Sequence, residues 1–257
     1  MAPLSESAIE PGARRRFGVV LLSGGLDSTT VAAVAKGEGY ELLAVTVHYG
    51  QVHRREILAA EAVAKALGIE QRVVDVSFFR DLAWYSALTQ PERFGLPGDR
   101  TVEQIGVEIP ITYVPLRNTF FLTLSAALLE SQALHAIEVE GARPEDVEVT
   151  LFIAANAIDY SGYPDCRPEF YAAAAETLRL GSKLGTQYGV AFRIETPLID
   201  KSKAEIVRLA LWANAPLAET WSCYEGGDEP CGRCDSCLLR AKGFAEAGIA
   251  DPARRAR

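Results

Sequence analysis

Residues 23 to 30, SGGLDSTT, place two adjacent glycines, an aspartate and four hydroxyl side chains directly behind the apolar run FGVVLL. Paired glycines let the backbone turn tightly and bring bare amides close to an anion. A helix starting just beyond adds the positive end of its dipole. The chemistry this suits is phosphate binding, with Leu22, Ser23, Gly24, Gly25, Leu26, Asp27, Ser28, Thr29 and Thr30 as the nucleotide-binding candidates. Asp27 either caps the helix, as Ser28 also could, or stands beside a magnesium ion. The competing reading is an ordinary strand-to-helix turn. The lysine of a Walker A loop is absent, and so is the G-x-G-x-x-G of a dinucleotide site.

A second cluster lies near the C-terminus. Cys223, Cys231, Cys234 and Cys237 follow a C-x7-C-x2-C-x2-C pattern interleaved with Gly226, Gly227 and Gly232. Two-residue spacers let neighbouring thiolates turn onto one tetrahedral ion, so the first reading is a structural zinc, one per chain, with no open coordination position. An iron–sulfur cluster fits the same spacing, and four unrelated thiols are the third reading.

These residues need a frame. Apolar strand-like runs at 17–23, 41–49, 71–77, 149–157 and 191–198 alternate with helical patterns at 28–36, 53–68, 118–131, 167–185 and 202–214. Such alternation predicts an α/β fold, a mostly parallel sheet with helices on both faces and ligands beyond the carboxyl ends of the strands. Residues 80–113 read as a long loop beside the site and 136–148 as a surface insertion. The chain divides into a tail (1–16), an α/β domain (17–215), a helical four-cysteine module (216–250) and a second tail (251–257). Trp212 and Trp221 read as packing near that module.

With 257 residues, 49% hydrophobic and 23% charged, the chain is long enough to build a core without staples. A net charge of −8 argues against a broad grip on nucleic acid. The longest apolar stretch, FFLTLSAALL, is shorter than a membrane span, and the N-terminal segment lacks the apolar block of a secretory signal. Cytoplasmic placement follows, where five cysteines serve as ligands or free thiols.

SGGLDST resembles the loop of the N-type ATP pyrophosphatases. Together with YGQVHRREI, VPLRN, DYSGYPDCRPEF, ETPL, SKAEI and the cysteine set, in this order, it closely resembles the 7-cyano-7-deazaguanine synthase family of queuosine precursor synthesis, from about Phe17 to Gly248. The resemblance implies an adenine nucleotide alpha hydrolase-like fold, a homodimer, and ATP with Mg2+ as the activating reagent. It also implies small-molecule substrates, 7-carboxy-7-deazaguanine and ammonium, the acid being adenylylated, converted to an amide, adenylylated again and released as a nitrile. Val52 stands where the family has arginine, Leu116 where it has the glycine of PGRN, and AANA where a glycine is usual. A tRNA sulfur transferase on the same loop is the alternative function, and a non-catalytic zinc-ribbon module is a third.

Ser202 and Glu205 form a capping box, which leaves Lys203 at a helix N-terminus where a cation is unfavourable unless an anion lies opposite. Lys203 is therefore expected to face the ATP phosphates; the alternative is a solvated lysine. Arg117 is a catalytic and substrate-binding candidate, its planar fork suited to a carboxylate or a phosphate, against the alternative of a structural ion pair. Of Asp159 and Asp165, one is expected to accept from the adjacent N–H donors of a guanine-like edge. Cys166 reads as a small buried residue rather than a nucleophile, and His53 either lines the site or is merely packed.

Overall fold

Five short runs, most rich in β-branched and aliphatic residues, make the sheet: β1 Arg15–Leu21, β2 Glu41–His48, β3 Glu70–Asp75, β4 Val147–Phe152 and β5 Phe192–Glu195. Their order is β3-β2-β1-β4-β5 and every pairing is parallel. The structure, a computed structural model, describes residues 14–50, 55–95, 109–157 and 163–253. The helices between and after the strands are α1 Leu26–Gly37, α2 Arg55–Leu67, α3 Phe79–Leu82, α4 Pro91–Phe94, α5 Arg117–Glu138, α6 Pro168–Gly181, α7 Lys183–Tyr188, α8 Lys203–Trp212 and α9 Asp235–Ala247.

Side chains alternate across each pleat, so the sheet carries a core on either face. Phe17 and Val19 of β1 join one core with Leu122 and Leu129 of α5, Tyr171 of α6 and Leu184 of α7. Val20 turns the other way, into a core with Val31 of α1, Val63 of α2, Ile206 of α8 and Phe244 of α9. Leu217 and Phe244, both within 216–250, thus share the second core with α1 and α8. The chain leaves β1 toward β2 on one side and later enters β4 on the other. The crevice beyond the carboxyl ends of β1 and β4 is therefore the topological switch point where α/β sheets bind ligands.

Several elements differ from the sequence expectations. β1 starts two residues early, and α1 begins at Leu26 rather than Ser28. Gly25 is its N-cap, with no side-chain cap, so neither Asp27 nor Ser28 caps the helix. The segment 136–148 is a surface stretch only in its middle: Ala136 is buried at the end of α5, and Val147 and Glu148 are buried in β4. Glu148 is held there by the Tyr40 hydroxyl at 2.8 Å, Arg193 at 3.1 Å and Arg16 at 3.5 Å. The single helix expected over 167–185 is two, because Ser182 adopts an extended conformation and caps α7 by accepting from the Gly185 N–H at 3.0 Å. α5 runs for 22 residues and, by length and composition, could cross a membrane. It instead contributes Leu122, Ala126, Leu129 and Ala133 to the core against β1 and β4. Of the expected 80–113 loop, part is α3 and α4, and residues 96–108 lie outside the described set. Trp212 is 77% exposed and does not pack on the cysteine module.

Candidate active site

The turn after β1 is shaped by Gly24, at φ 81°. A Cβ there would lie 2.4 Å from the Ala60 backbone nitrogen and 2.6 Å from the Glu56 carbonyl oxygen, so only glycine lets the first turns of α2 press against the loop. From the other side, the Trp221 N–H donates to the Gly24 carbonyl at 2.8 Å. Within the turn, Ser28 Oγ accepts from the Ser23 N–H at 3.2 Å and lies 3.0 Å from Ser23 Oγ. The loop is fixed before any ligand arrives.

Lys203 Nζ donates to Asp27 at 2.8 and 3.1 Å. The Ser202–Glu205 capping box is formed, with the Ser202 N–H donating to Glu205 at 2.8 Å and the Glu205 N–H to Ser202 Oγ at 3.3 Å. That box starts α8 one residue before Lys203, whose side chain is 6% exposed. Its stem passes against α9, where a Cβ at Gly243 would sit 2.4 Å from Lys203 Cγ.

A cavity of about 330 Å³ opens beside the loop, lined by Ser23, Gly25, Asp27, Lys203, Arg117 and Asp165 among others. Arg117 enters from the first turn of α5. Burial disfavours its charge, yet the oxygens of Tyr49, Tyr163 and Asp165 hold its pKa above the ordinary arginine value. Asp165 is 7% exposed, and its main-chain carbonyl accepts from the Tyr171 hydroxyl at 2.8 Å and Asn118 Nδ2 at 3.4 Å. Burial pushes its carboxyl upward and Arg117 opposes the shift. Cys166 lies alongside, its thiol pushed up to about 11 by burial and by Asp165. It stays protonated near neutral pH and lacks the thiolate of a nucleophile.

Leu22, Ser23, Gly25, Leu26, Asp27 and Ser28 all line this cavity. Gly24 stands behind it, and Thr29 and Thr30 are fully buried, with Thr30 Oγ1 donating to the Leu26 carbonyl at 2.8 Å. Asp159, His53 and Val52 lie outside the described residues. Leu116 adopts φ 55°, the left-handed region suited to glycine, whereas Ala154 and Ala155 do not. One of the two departures from the glycine pattern therefore carries backbone strain and the other does not. Glu56, which sequence reading passed over, also lines the cavity, and burial pushes its carboxyl up to about 7 against the pull of Arg117. A glutamate at the start of an amphipathic helix normally faces water, so no sequence signal marked it.

The cysteine segment abuts the same loop. The sulfur atoms of Cys223, Cys231, Cys234 and Cys237 lie within 4.8 Å of one another. A tetrahedral zinc with Zn–S bonds of about 2.3 Å needs sulfur atoms roughly 3.8 Å apart, so the set fits such an ion. Backbone N–H groups of Glu225 and Cys231 donate to Cys223 Sγ at 3.4 and 3.3 Å, and that of Cys234 to Cys231 Sγ at 3.4 Å, an arrangement that favours thiolates. The Cys237–Cys234 hydrogen bond lowers the Cys234 thiol and raises Cys237, so four thiols this close do not all ionise without a cation. Trp221 packs on the cluster and receives the Arg55 guanidinium over its ring at 4.4 Å.

Sequence comparison reaches the same residues. A 7-cyano-7-deazaguanine synthase from Thermoplasma acidophilum is 47% identical over 238 residues, covering 93% of this chain and 91% of the relative. One from Thermosynechococcus vestitus is 46% identical over 235 residues, covering 91% and 93%. Among solved structures, NMN synthetase from Francisella tularensis superposes with a TM-score of 0.43 at 15% identity, over 92% of this chain and 79% of that one. An NH3-dependent NAD synthetase from Campylobacter jejuni gives 0.36 at 17%, over 79% and 66%. These structural likenesses are too slight to bear a conclusion. The family model of the queuosine biosynthesis protein QueC matches residues 18–248, from β1 through the turn after it, the cavity lining and all four clustered cysteines, and the chain belongs to that family.

Proposed function

We propose that the chain is an ATP-dependent carbon–nitrogen ligase that converts 7-carboxy-7-deazaguanine and ammonia to 7-cyano-7-deazaguanine. The observation that carries this reading is one cavity joining the amide turn, the Asp27–Lys203 pair, Arg117 and Asp165 at the switch point of the sheet. The relatives named above support it, and nothing in them favours the tRNA sulfur transferase alternative.

ATP places its phosphates on the amides of the turn and the N-terminus of α1. Lys203 supplies positive charge to the phosphate of the transferred adenylyl group. Asp27 would hold Mg2+, which when bound neutralises the departing pyrophosphate. Arg117 takes the substrate carboxylate, and Asp165 accepts from the N–H donors of the deazaguanine edge. The acid attacks the α-phosphorus and pyrophosphate leaves; ammonia then displaces AMP to give the amide. Repetition on the amide oxygen expels the second AMP and leaves the nitrile, so both carboxyl oxygens of the substrate end in AMP. The four thiolates would hold zinc, whose role is to fix the segment that braces the loop.

The thiol complement, with no disulfide among the described residues, supports a cytoplasmic setting. The homodimer implied by family resemblance is tested by light scattering. The activity itself is tested by incubation with ATP, Mg2+, ammonium and the deazapurine acid carrying heavy oxygen in its carboxyl group. Mass spectrometry should find the nitrile and labelled AMP. A folded protein that forms no AMP from these reagents overturns the reading.

A further inference from the structure

Three carboxylates of the cavity differ in what holds them. Asp27 is paired with Lys203, and Asp165 is fixed through its main chain and faces Arg117. Among the described residues, no hydrogen bond or ion pair within 4 Å holds the Glu56 carboxylate. It stands in the first turn of α2, which the close approach of Gly24 presses against the phosphate loop. The groups facing it are the Arg117 guanidinium from α5 and the Tyr49 hydroxyl beyond β2, and Arg117 also lies over the Tyr49 ring at 5.9 Å. Lys203 and Asp27 line the same cavity from α8 and α1.

Resting on the ligase reading, we propose that Glu56 is the base that accepts the protons released as nitrogen is added and as the nitrile forms. In the first step the ammonia nitrogen bonds to the acyl-adenylate carbon. A proton on that nitrogen passes to the Glu56 carboxylate while the carbon–oxygen bond to AMP breaks, its electron pair leaving on the phosphate. In the second step the amide nitrogen, cationic once its oxygen carries AMP, loses one N–H proton to solvent and gives the other to the same carboxylate. The nitrogen pair completes the triple bond and the second AMP departs with the carbon–oxygen pair. Solvent removes the proton from Glu56 after each step, so no further reagent is consumed.

An ordinary carboxylate is too weak a base near neutral pH to draw protons from nitrogen efficiently. Desolvation of Glu56, which raises it to about 7, matches the base to its task. Leu88 and Phe121 line the same cavity and make part of its wall apolar.

Glu56→Gln keeps the volume and removes the base. Pyrophosphate–ATP exchange driven by the deazapurine acid without ammonium should stay at the parent rate. Amide formation after ammonium is added should fall by roughly 100-fold or more. The acid limb of its pH profile should disappear in Glu56→Gln and persist, displaced, in Glu56→Asp. Exchange and amide formation falling together would assign Glu56 a purely structural role and overturn the proposal, as would a parent-like rate and pH profile in Glu56→Gln. Absence of exchange in the parent protein would instead sink the ligase reading itself.

Discussion

Lys203 Nζ lies 2.8 Å from Asp27 Oδ2, tying the first turn of α8 to the first turn of α1 across 176 residues of sequence. The lysine side chain is 6% exposed and the aspartate 23%, so the pair is shielded on one side only. Lys203→Met keeps the apolar stem and deletes the charge. It should cost about 2 kcal/mol in urea unfolding, because Asp27 is left without its partner in a half-buried place. Turnover should fall by roughly 100-fold as the charge at the α-phosphate of the transferred adenylyl group is lost. Unchanged kinetics with ATP would remove Lys203 from the phosphate site.

Gly243 tests the same lysine without touching it. The methyl of Gly243→Ala would meet Lys203 Cγ at 2.4 Å, while alanine raises the helix propensity of α9. Overpacking of this kind costs about 1–3 kcal/mol. The expected signature is a weakened apparent ATP affinity with the affinity for the deazapurine acid retained, measured by calorimetric titration of each ligand.

Leu116 offers a gain rather than a loss. It is 66% exposed and holds φ 55° at the N-cap of α5, one residue before Arg117. The left-handed conformation costs a non-glycine residue roughly 1–2 kcal/mol. Leu116→Gly should therefore raise the free energy of unfolding by about 1 kcal/mol, the remainder being offset by the greater freedom of glycine in the unfolded chain. Calorimetric melting of the two proteins checks this.

Metal removal should reach the nucleotide site. Elemental analysis should find one zinc per four clustered cysteines, and a brown protein with charge-transfer absorbance would replace zinc by an iron–sulfur cluster. Chelation should lower the melting temperature and weaken ATP binding together, because Trp221 N–H donates to the loop only two residues before Cys223. Trp221 fluorescence should shift at the same chelator concentration.

Stability should also depend on pH through Glu56. Its folded carboxyl, raised from 4.5 to about 7, binds a proton more tightly than the unfolded chain does. That contribution is fully present below the unfolded value and is lost as pH rises through about 7. In urea unfolding across this range, the parent should lose more stability than Glu56→Gln. Parallel curves would show that the carboxyl is ordinary in the folded state.

Much of this architecture is written in local pattern. Apolar runs of β1, β2 and β4 are buried on both faces and stand out without any partner in view. The capping box at Ser202 and the cysteine spacing are equally local. What pattern does not carry is long-range pairing. Glu148 looks like part of a solvated charged stretch, yet Tyr40, Arg16 and Arg193 converge on it and permit its burial in β4. Gly181 and Ser182 are local signals for a break that the apolar pattern over 167–185 masks, and the cap on Gly185 realises it. The capping box points Lys203 at the ATP phosphates, whereas its partner in the structure is Asp27, a pairing that depends on how α8 and α1 meet. Glu56 carries no local signal, because the contact of α2 with Gly24 and the charge of Arg117 come from distant parts of the chain.

The Trp221–Gly24 hydrogen bond has a bearing on affinity. A trans peptide points its carbonyl and its following N–H in opposite directions. Anchoring the Gly24 carbonyl on Trp221 thereby fixes which way the Gly25 amide dipole faces. A turn already oriented loses little freedom when an anion docks, so more of the contact energy survives as binding strength. The cysteine segment thus sets the polarity of a peptide unit some two hundred residues away, and under the proposed function tuning its rigidity should act as a remote dial on nucleotide retention.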